Sequence, residues 1–203
     1  MRFVTLDYAN MLSPQLGTRG LDPAELEGKL AEDFEQALGD VEARRDSGEM
    51  GFFSLPEARE AAGAVQELAD GFGQWFENLV VLGIGGSALG TTTLRDALLG
   101  PHWNELDDES RHHYPRLFIL DNVDPRTVSG LLDRLDLRRT LFNVVSKSGS
   151  TAETMSQYMV VEDRLHEILG ADSARGHFLF TTDPRSGILR KKVSSISTWM
   201  DST

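Results

Sequence analysis

TLFNVVSKSGSTAET, residues 140–154, is the stretch on which the fold turns. Its first half sets Leu141, Phe142, Val144 and Val145 in a nearly continuous apolar run, the pattern of a strand covered on both faces rather than one. The run then empties into Ser146, Lys147, Ser148, Gly149, Ser150 and Thr151. Four of these carry hydroxyls, one is a cation, and Gly149 permits a positive φ. Beyond them the spacing predicts a helix over 152–169, with Thr151 or Ser150 as its cap. A strand that opens into a hydroxyl-rich loop and climbs into a helix presents free N–H groups to an anion.

Three further runs share this texture: LVVLGI (79–84), RLFILD (116–121) and HFLFTT (177–182). Segments of helical potential separate them. Strand and helix therefore alternate, which predicts an α/β fold: a three-layer α/β/α domain with a mainly parallel sheet and right-handed crossovers. N-terminal helices precede it. Residues 22–45 open with Asp-Pro and place Leu26, Leu30, Phe34, Leu38 and Val41 at helical spacing, with acidic residues early and arginines late. Residues 56–72 repeat the pattern more weakly and form a second expected helix, packed onto the rest of the chain. The expected divisions are a helical region over 1–75, an α/β domain over 76–193 and a polar tail over 194–203.

Composition bounds the function. The chain has 203 residues, 40% of them apolar, enough for one core with a smaller addition. Its net charge of −12 argues against nucleic acid as a partner, since phosphate backbones attract basic faces. No run approaches a membrane span and no signal-peptide segment opens the chain, so the expected location is cytoplasmic and no membrane partner is expected. With no cysteine, thiolate catalysis and sulfur-ligated metals are excluded. An acidic protein of this kind binds a small anion through a local site of amides, hydroxyls and a lysine.

A second unusual turn, GIGGSALGTTTL (83–94), comes after the first of the strand runs. Its glycines allow backbone N–H groups to approach an anion, and Ser87 can cap the next helix. Gly83, Gly85 and Ala88 satisfy a loose dinucleotide pattern, but the acidic residue Asp121 comes too far downstream. Gly85 and Gly90 have the spacing of a nucleotide-binding loop, yet Thr91 stands where its lysine belongs. Glycines that serve only helix–sheet packing are the structural alternative.

Taken in order, GIGGSALG, LDNVDP (120–125), SKSGSTAET and TTDPRSGILR resemble the glucose-6-phosphate isomerase family and, more broadly, the sugar isomerase fold; the resemblance runs from about residue 50 to 192. It implies a cofactor-independent interconversion of glucose 6-phosphate and fructose 6-phosphate through an enediolate, within glycolysis and gluconeogenesis. It assigns the substrate phosphate to Ser146, Lys147, Ser148 and Thr151, sets Gly86 and Ser87 in the same pocket, and places Glu153 near the substrate. It also implies a homodimer for the full-length protein and no metal.

Isomerisation needs a base for the proton shift and an acid–base pair for ring opening. In the family these fall to a glutamate, a histidine, a lysine and a GGR arginine that the matched region does not contain. His102, His112, His113 and His166 lie in polar or solvated settings, and Glu162 with His166 on one helix face lacks a third ligand. The expectation is an isomerase chain that keeps the phosphate-binding half, truncated or altered in reading frame near Val193 and inactive alone. The alternative is a non-catalytic sugar-phosphate binding or regulatory module.

Overall fold

The computed structural model describes residue 5, residues 7–71 and residues 75–197. It divides into two compact units, residues 1–62 and 63–203.

The first unit is helical. α1 (Ser13–Leu16), α2 (Pro23–Glu27) and α3 (Lys29–Asp46) succeed one another. Asp22 caps α2 by accepting from the Ala24 N–H at 2.9 Å, and Pro23 supplies the first helical residue. The helix expected over 22–45 breaks at Gly28, where φ −97° and ψ −110° leave the helical region; without a side chain, Gly28 has little to hold it in register. The apolar stripe of α3 is present but exposed, Phe34 to 64%. α4 (Arg59–Gly71), most of which belongs to the second unit, begins later than expected because Pro56 sits in a preceding 3-10 turn, Gly51–Glu57, and Ala58 breaks helical geometry after it.

The second unit is built on β1 (Asn78–Leu82), β2 (Arg116–Leu120), β3 (Thr140–Ser146) and β4 (Phe178–Thr182). All pairings are parallel, in the order β2-β1-β3-β4. α5 (Gly86–Leu94) comes after β1, α6 (Pro125–Leu132) after β2, and α7 (Ala152–Leu169) and α8 (Ala171–Ala174) after β3. α9 (Ile188–Ser197) comes after β4 and runs through Val193 without a break; residues 198–203 of the expected tail lie outside the described residues.

Because β2 lies on one side of β1 while β3 and β4 lie on the other, right-handed crossovers place α5 on the opposite face from α6 and α7. Helices thus flank a parallel sheet, as the sequence predicts. On the α6–α7 face, register aligns Phe118, Val80, Phe142 and Phe178 in one row, with Leu120, Leu82, Val144 and Phe180 in the next. Tyr158, Val161 and Leu165 of α7 close over these rows. Phe142, Leu82 and Val144 are fully buried, each stabilising the fold by about 1.5–3 kcal/mol. At the amino ends of the strands, buried Asn78 donates to Thr140 Oγ1 at 3.0 Å and accepts from Arg116 Nε at 2.9 Å. Polar groups are satisfied there, and the chain keeps its open chemistry for the other end.

Candidate functional site

β1 and β3 are neighbours whose outer partners lie on opposite sides, so their crossovers diverge. A crevice opens outside the carboxyl ends of strands at such a point. The segment after β1, residues 83–85, forms one lip; residues 147–151, after β3, form the other. Both unusual turns of the sequence therefore lie at the carboxyl ends of adjacent strands, with the positive ends of α5 and α7 behind them.

The first lip is tight at Gly83, where a Cβ would stand 3.0 Å from the Ser87 carbonyl oxygen. Gly85 adopts φ +57° and occupies the N-cap position, so no side chain caps α5. The expectation that Ser87 caps this helix is corrected: the glycines let the chain turn early, and Ser87 is the second helical residue, half-buried, its N–H bonded to the Ile84 carbonyl at 3.1 Å. A Cβ at Gly85 or Gly86 would meet nothing within 4 Å, leaving this backbone open to a ligand.

The second lip is braced from within. Ser146 is buried, and its hydroxyl accepts from the Gly149 N–H at 3.1 Å while pairing with Thr151 Oγ1 at 3.1 Å. Thr151 Oγ1 also meets Ser148 Oγ at 3.3 Å, and Ser148 Oγ accepts from the Ser150 N–H at 3.3 Å. Thr151 stands at the N-cap of α7, where the sequence places a cap, yet its side chain caps nothing because the hydroxyl faces the loop. The first amides of an 18-residue helix are left without a side-chain acceptor. Lys147 and Ser148 are exposed, Ser146 is internal, and Glu153 lies half-buried in the first turn of α7. In the same turn, Thr154 Oγ1 is buried and has no hydrogen-bond partner.

A third segment supports the second lip. Thr182 Oγ1 donates to the Ser146 carbonyl at 2.7 Å, and the Leu189 N–H donates to the Gly149 carbonyl at 3.3 Å. Gly187, at φ +99°, lies so close that a Cβ would sit 2.4 Å from the Ser148 carbonyl oxygen. The Asp183 carboxylate accepts from the Arg185 and Ser186 N–H groups at 2.8 and 2.9 Å, and these bonds hold it below its ordinary pKa. Sequence reading registers TTDPRSGILR as a segment but not as the wall of the loop; its glycine, turn residues and position after a strand were the available signal.

Two further side chains take structural roles that the sequence reading does not assign. Gln157, buried on α7, donates to the Leu120 carbonyl at 3.2 Å and the Asn122 carbonyl at 2.9 Å, tying α7 to the end of β2. A lone glutamine among apolar positions was its only trace. Glu162 accepts from Tyr158 and, at 2.5 Å, from Lys192. Burial opposes ionisation of Glu162, but the bonds from Lys192 and Tyr158 and the charges of Lys192 and His166 outweigh it and hold the carboxylate below its ordinary pKa. Burial first, and then Glu162, pushes the Tyr158 phenol well above its own.

The histidines lie elsewhere. His102 pairs with Glu105 at 3.0 Å, His113 with Asp108 at 2.6 Å, and His177 bonds the Thr140 carbonyl at 2.8 Å, at the amino end of β3. Among the described residues no cluster of three or more acidic, histidine or cysteine side chains could hold a metal, and no helix is long and apolar enough to cross a membrane. A hollow of about 550 Å³ between α6 and α7 is lined by residues such as Val128, Val160 and Arg164, and by none from either lip.

Residues 63–188 match the family model described as phosphoglucose isomerase. The chain is 38% identical over 186 residues to the glucose-6-phosphate isomerase of Carboxydothermus hydrogenoformans, spanning 91% of this chain and 39% of that protein. It is likewise 38% identical over 192 residues to that of Rubrobacter xylanophilus, spanning 94% of this chain and 42% of the relative. The chain therefore spans about two fifths of the length of these curated relatives. A crystal structure of a hypothetical protein from Thermus thermophilus superposes with a TM-score of 0.67 at 35% identity, covering 86% of this chain and 40% of that one. A glucose-6-phosphate isomerase structure from Chlamydia trachomatis superposes with a TM-score of 0.55 at 29% identity, covering 66% and 24%.

Proposed function

The chain belongs to the phosphoglucose isomerase family, and on that premise we propose that its crevice receives the phosphate of glucose 6-phosphate and fructose 6-phosphate. The observation that carries this reading is the pairing of two uncapped helix N-termini across the β1–β3 switch point, one behind bare glycine backbone and the other behind a ring of hydroxyls. A phosphate monoester matches that chemistry: several strong acceptors, a localised negative charge and no demand for a wide basic field. Ser148, Thr151 and Lys147 contact the phosphate from the second lip, and Gly86 and Ser87 from the first. Ser146 acts from inside the loop by holding Gly149 and Thr151 in place. Glu153 lines the sugar side of the crevice.

The activity served is aldose–ketose isomerisation. The proton shift between adjacent carbons needs a base beside the sugar and ring opening needs an acid. His102, His113 and His177 are engaged away from the crevice, which favours a second reading for this chain taken alone: it binds the sugar phosphate without turning it over.

Titration calorimetry with inorganic phosphate, glucose 6-phosphate and unphosphorylated glucose tests the assignment. The expected result is binding of the two phosphate-bearing ligands only. Loss of the Ser148 hydroxyl and the Lys147 charge in Lys147→Ala, Ser148→Ala should weaken binding tenfold or more, since each bond to a charged group contributes roughly 1.5–3 kcal/mol. Equal affinity in the double variant would overturn the assignment. A coupled assay for fructose 6-phosphate then separates the two readings: turnover by the wild-type chain that the double variant abolishes would mean that acid and base lie within this chain.

A further inference from the structure

The second lip hangs between two helices. Its last residue, Thr151, leads into α7; its Gly149 carbonyl accepts from Leu189, in the first turn of α9. The geometry of the loop therefore depends on how α7 and α9 are held together. Tyr158, Glu162 and Lys192 join them. The Tyr158 ring lies edge-on to Phe178 and Phe180 of β4, with centroids 5.1 and 5.6 Å away. Its hydroxyl donates to Glu162 one turn further along α7. Lys192 reaches across from α9 to the same carboxylate at 2.5 Å, and its ammonium lies 4.5 Å from the Tyr158 ring centroid. Lys192 is thus bound by a carboxylate and a ring face at once, in a partly buried setting where both attractions exceed their surface values.

We infer that Lys192, acting through Glu162 and Tyr158, is a positioning residue for the phosphate loop: it fixes α9 against α7 and thereby keeps Gly187 and Leu189 against Ser148 and Gly149. The inference rests on the proposed role of that loop for its functional meaning, but its structural content stands apart. Lys192 lies on α9, three residues past Leu189. Leu189 is fully buried in the core, so among the described residues α9 has an apolar anchor near its start and an ionic one a turn later. Removing the second loosens α9 against α7. Loosening α9 shifts Gly187, which packs so near the Ser148 carbonyl that an added Cβ would overlap it.

Amide hydrogen exchange of the whole chain tests this without ligand. The Gly149 N–H, bonded to Ser146 Oγ, reports the loop, and the Val80 N–H in central β1 reports global stability. Lys192→Met keeps the aliphatic stem and removes the charge. It should accelerate Gly149 exchange about tenfold while leaving Val80 unchanged, and Lys192→Arg should restore most of the protection. The affinity for inorganic phosphate should fall in parallel. Should Lys192→Met fail to fold, Glu162→Gln reads the same contact. Equal acceleration at Gly149 and Val80, or none at Gly149, overturns the inference. If wild-type protein binds no phosphate yet Gly149 alone responds, the positioning role stands and the phosphate reading falls.

Discussion

The two lips of the crevice reach the same end by opposite means. Residues 85–86 are open: a Cβ at either glycine would touch nothing, and the backbone itself is the chemistry on offer. Residues 146–151 are closed: every hydroxyl from Ser146 to Thr151 is bonded to another part of the loop, and Gly149 would meet Leu189 N at 3.1 Å if it carried a Cβ. The first lip depends on what is absent and the second on what is preassembled. Preassembly spares a ligand the entropy of ordering the groups that bind it. It also makes the second lip a point where small changes travel.

The largest expected effect lies there. Gly187→Ala forces a Cβ against the Ser148 carbonyl at φ +99° and should destabilise the chain by about 3 kcal/mol, the sum of left-handed strain and overpacking. Urea denaturation measures it; an unchanged midpoint would mean that the two segments are not braced as described. Gly86→Ala is the contrasting substitution. It enters open space at the first position of α5 and should change stability by less than about 0.5 kcal/mol. If bare backbone is what the first lip offers, phosphate affinity should nonetheless drop severalfold. A variant that binds normally would reduce this lip to packing.

A smaller effect concerns acid. Asp183 and Glu162 both brace the second lip, and both are held below their ordinary pKa values in the fold. A carboxylate depressed by folding contributes stability above its unfolded value and loses it as pH falls through the folded one. The bracing should therefore be complete at neutral pH and fade only below the ordinary values of 3.8 for Asp183 and 4.5 for Glu162. Residues 83–86 carry no carboxylate, so on acidification the Gly149 and Ser150 amide resonances should shift before those of Gly85 and Gly86. Simultaneous shifts would show that acid acts on the fold as a whole.

Much of this was legible in the residues. The run TLFNVVS is strand β3 to the residue, and the helix expected over 152–169 is α7, because a buried parallel strand and an amphipathic helix each impose a local period. The hydroxyl loop and the glycine turn were legible for the same reason. Ser87 and Thr151 were misjudged as caps because a hydroxyl beside a helix start has more than one partner to choose from, and the choice depends on groups distant in sequence. Gln157, Glu162 and Lys192 were illegible as a supporting shell because their partners lie about 30 or more residues away or across a helix turn.

Sequence alone determined the elements, the α/β class, the chemistry of the two turns and the kinship they signal, since each resides in a contiguous segment. Only the tertiary structure decided that β3 pairs with β1 on the side away from β2, so that both turns open on one crevice. It also decided that Ser146 faces inward and that α9 holds the loop from behind. Strand order and side-chain partnership come from handed crossovers and from packing among distant residues, neither of which leaves a period in the chain.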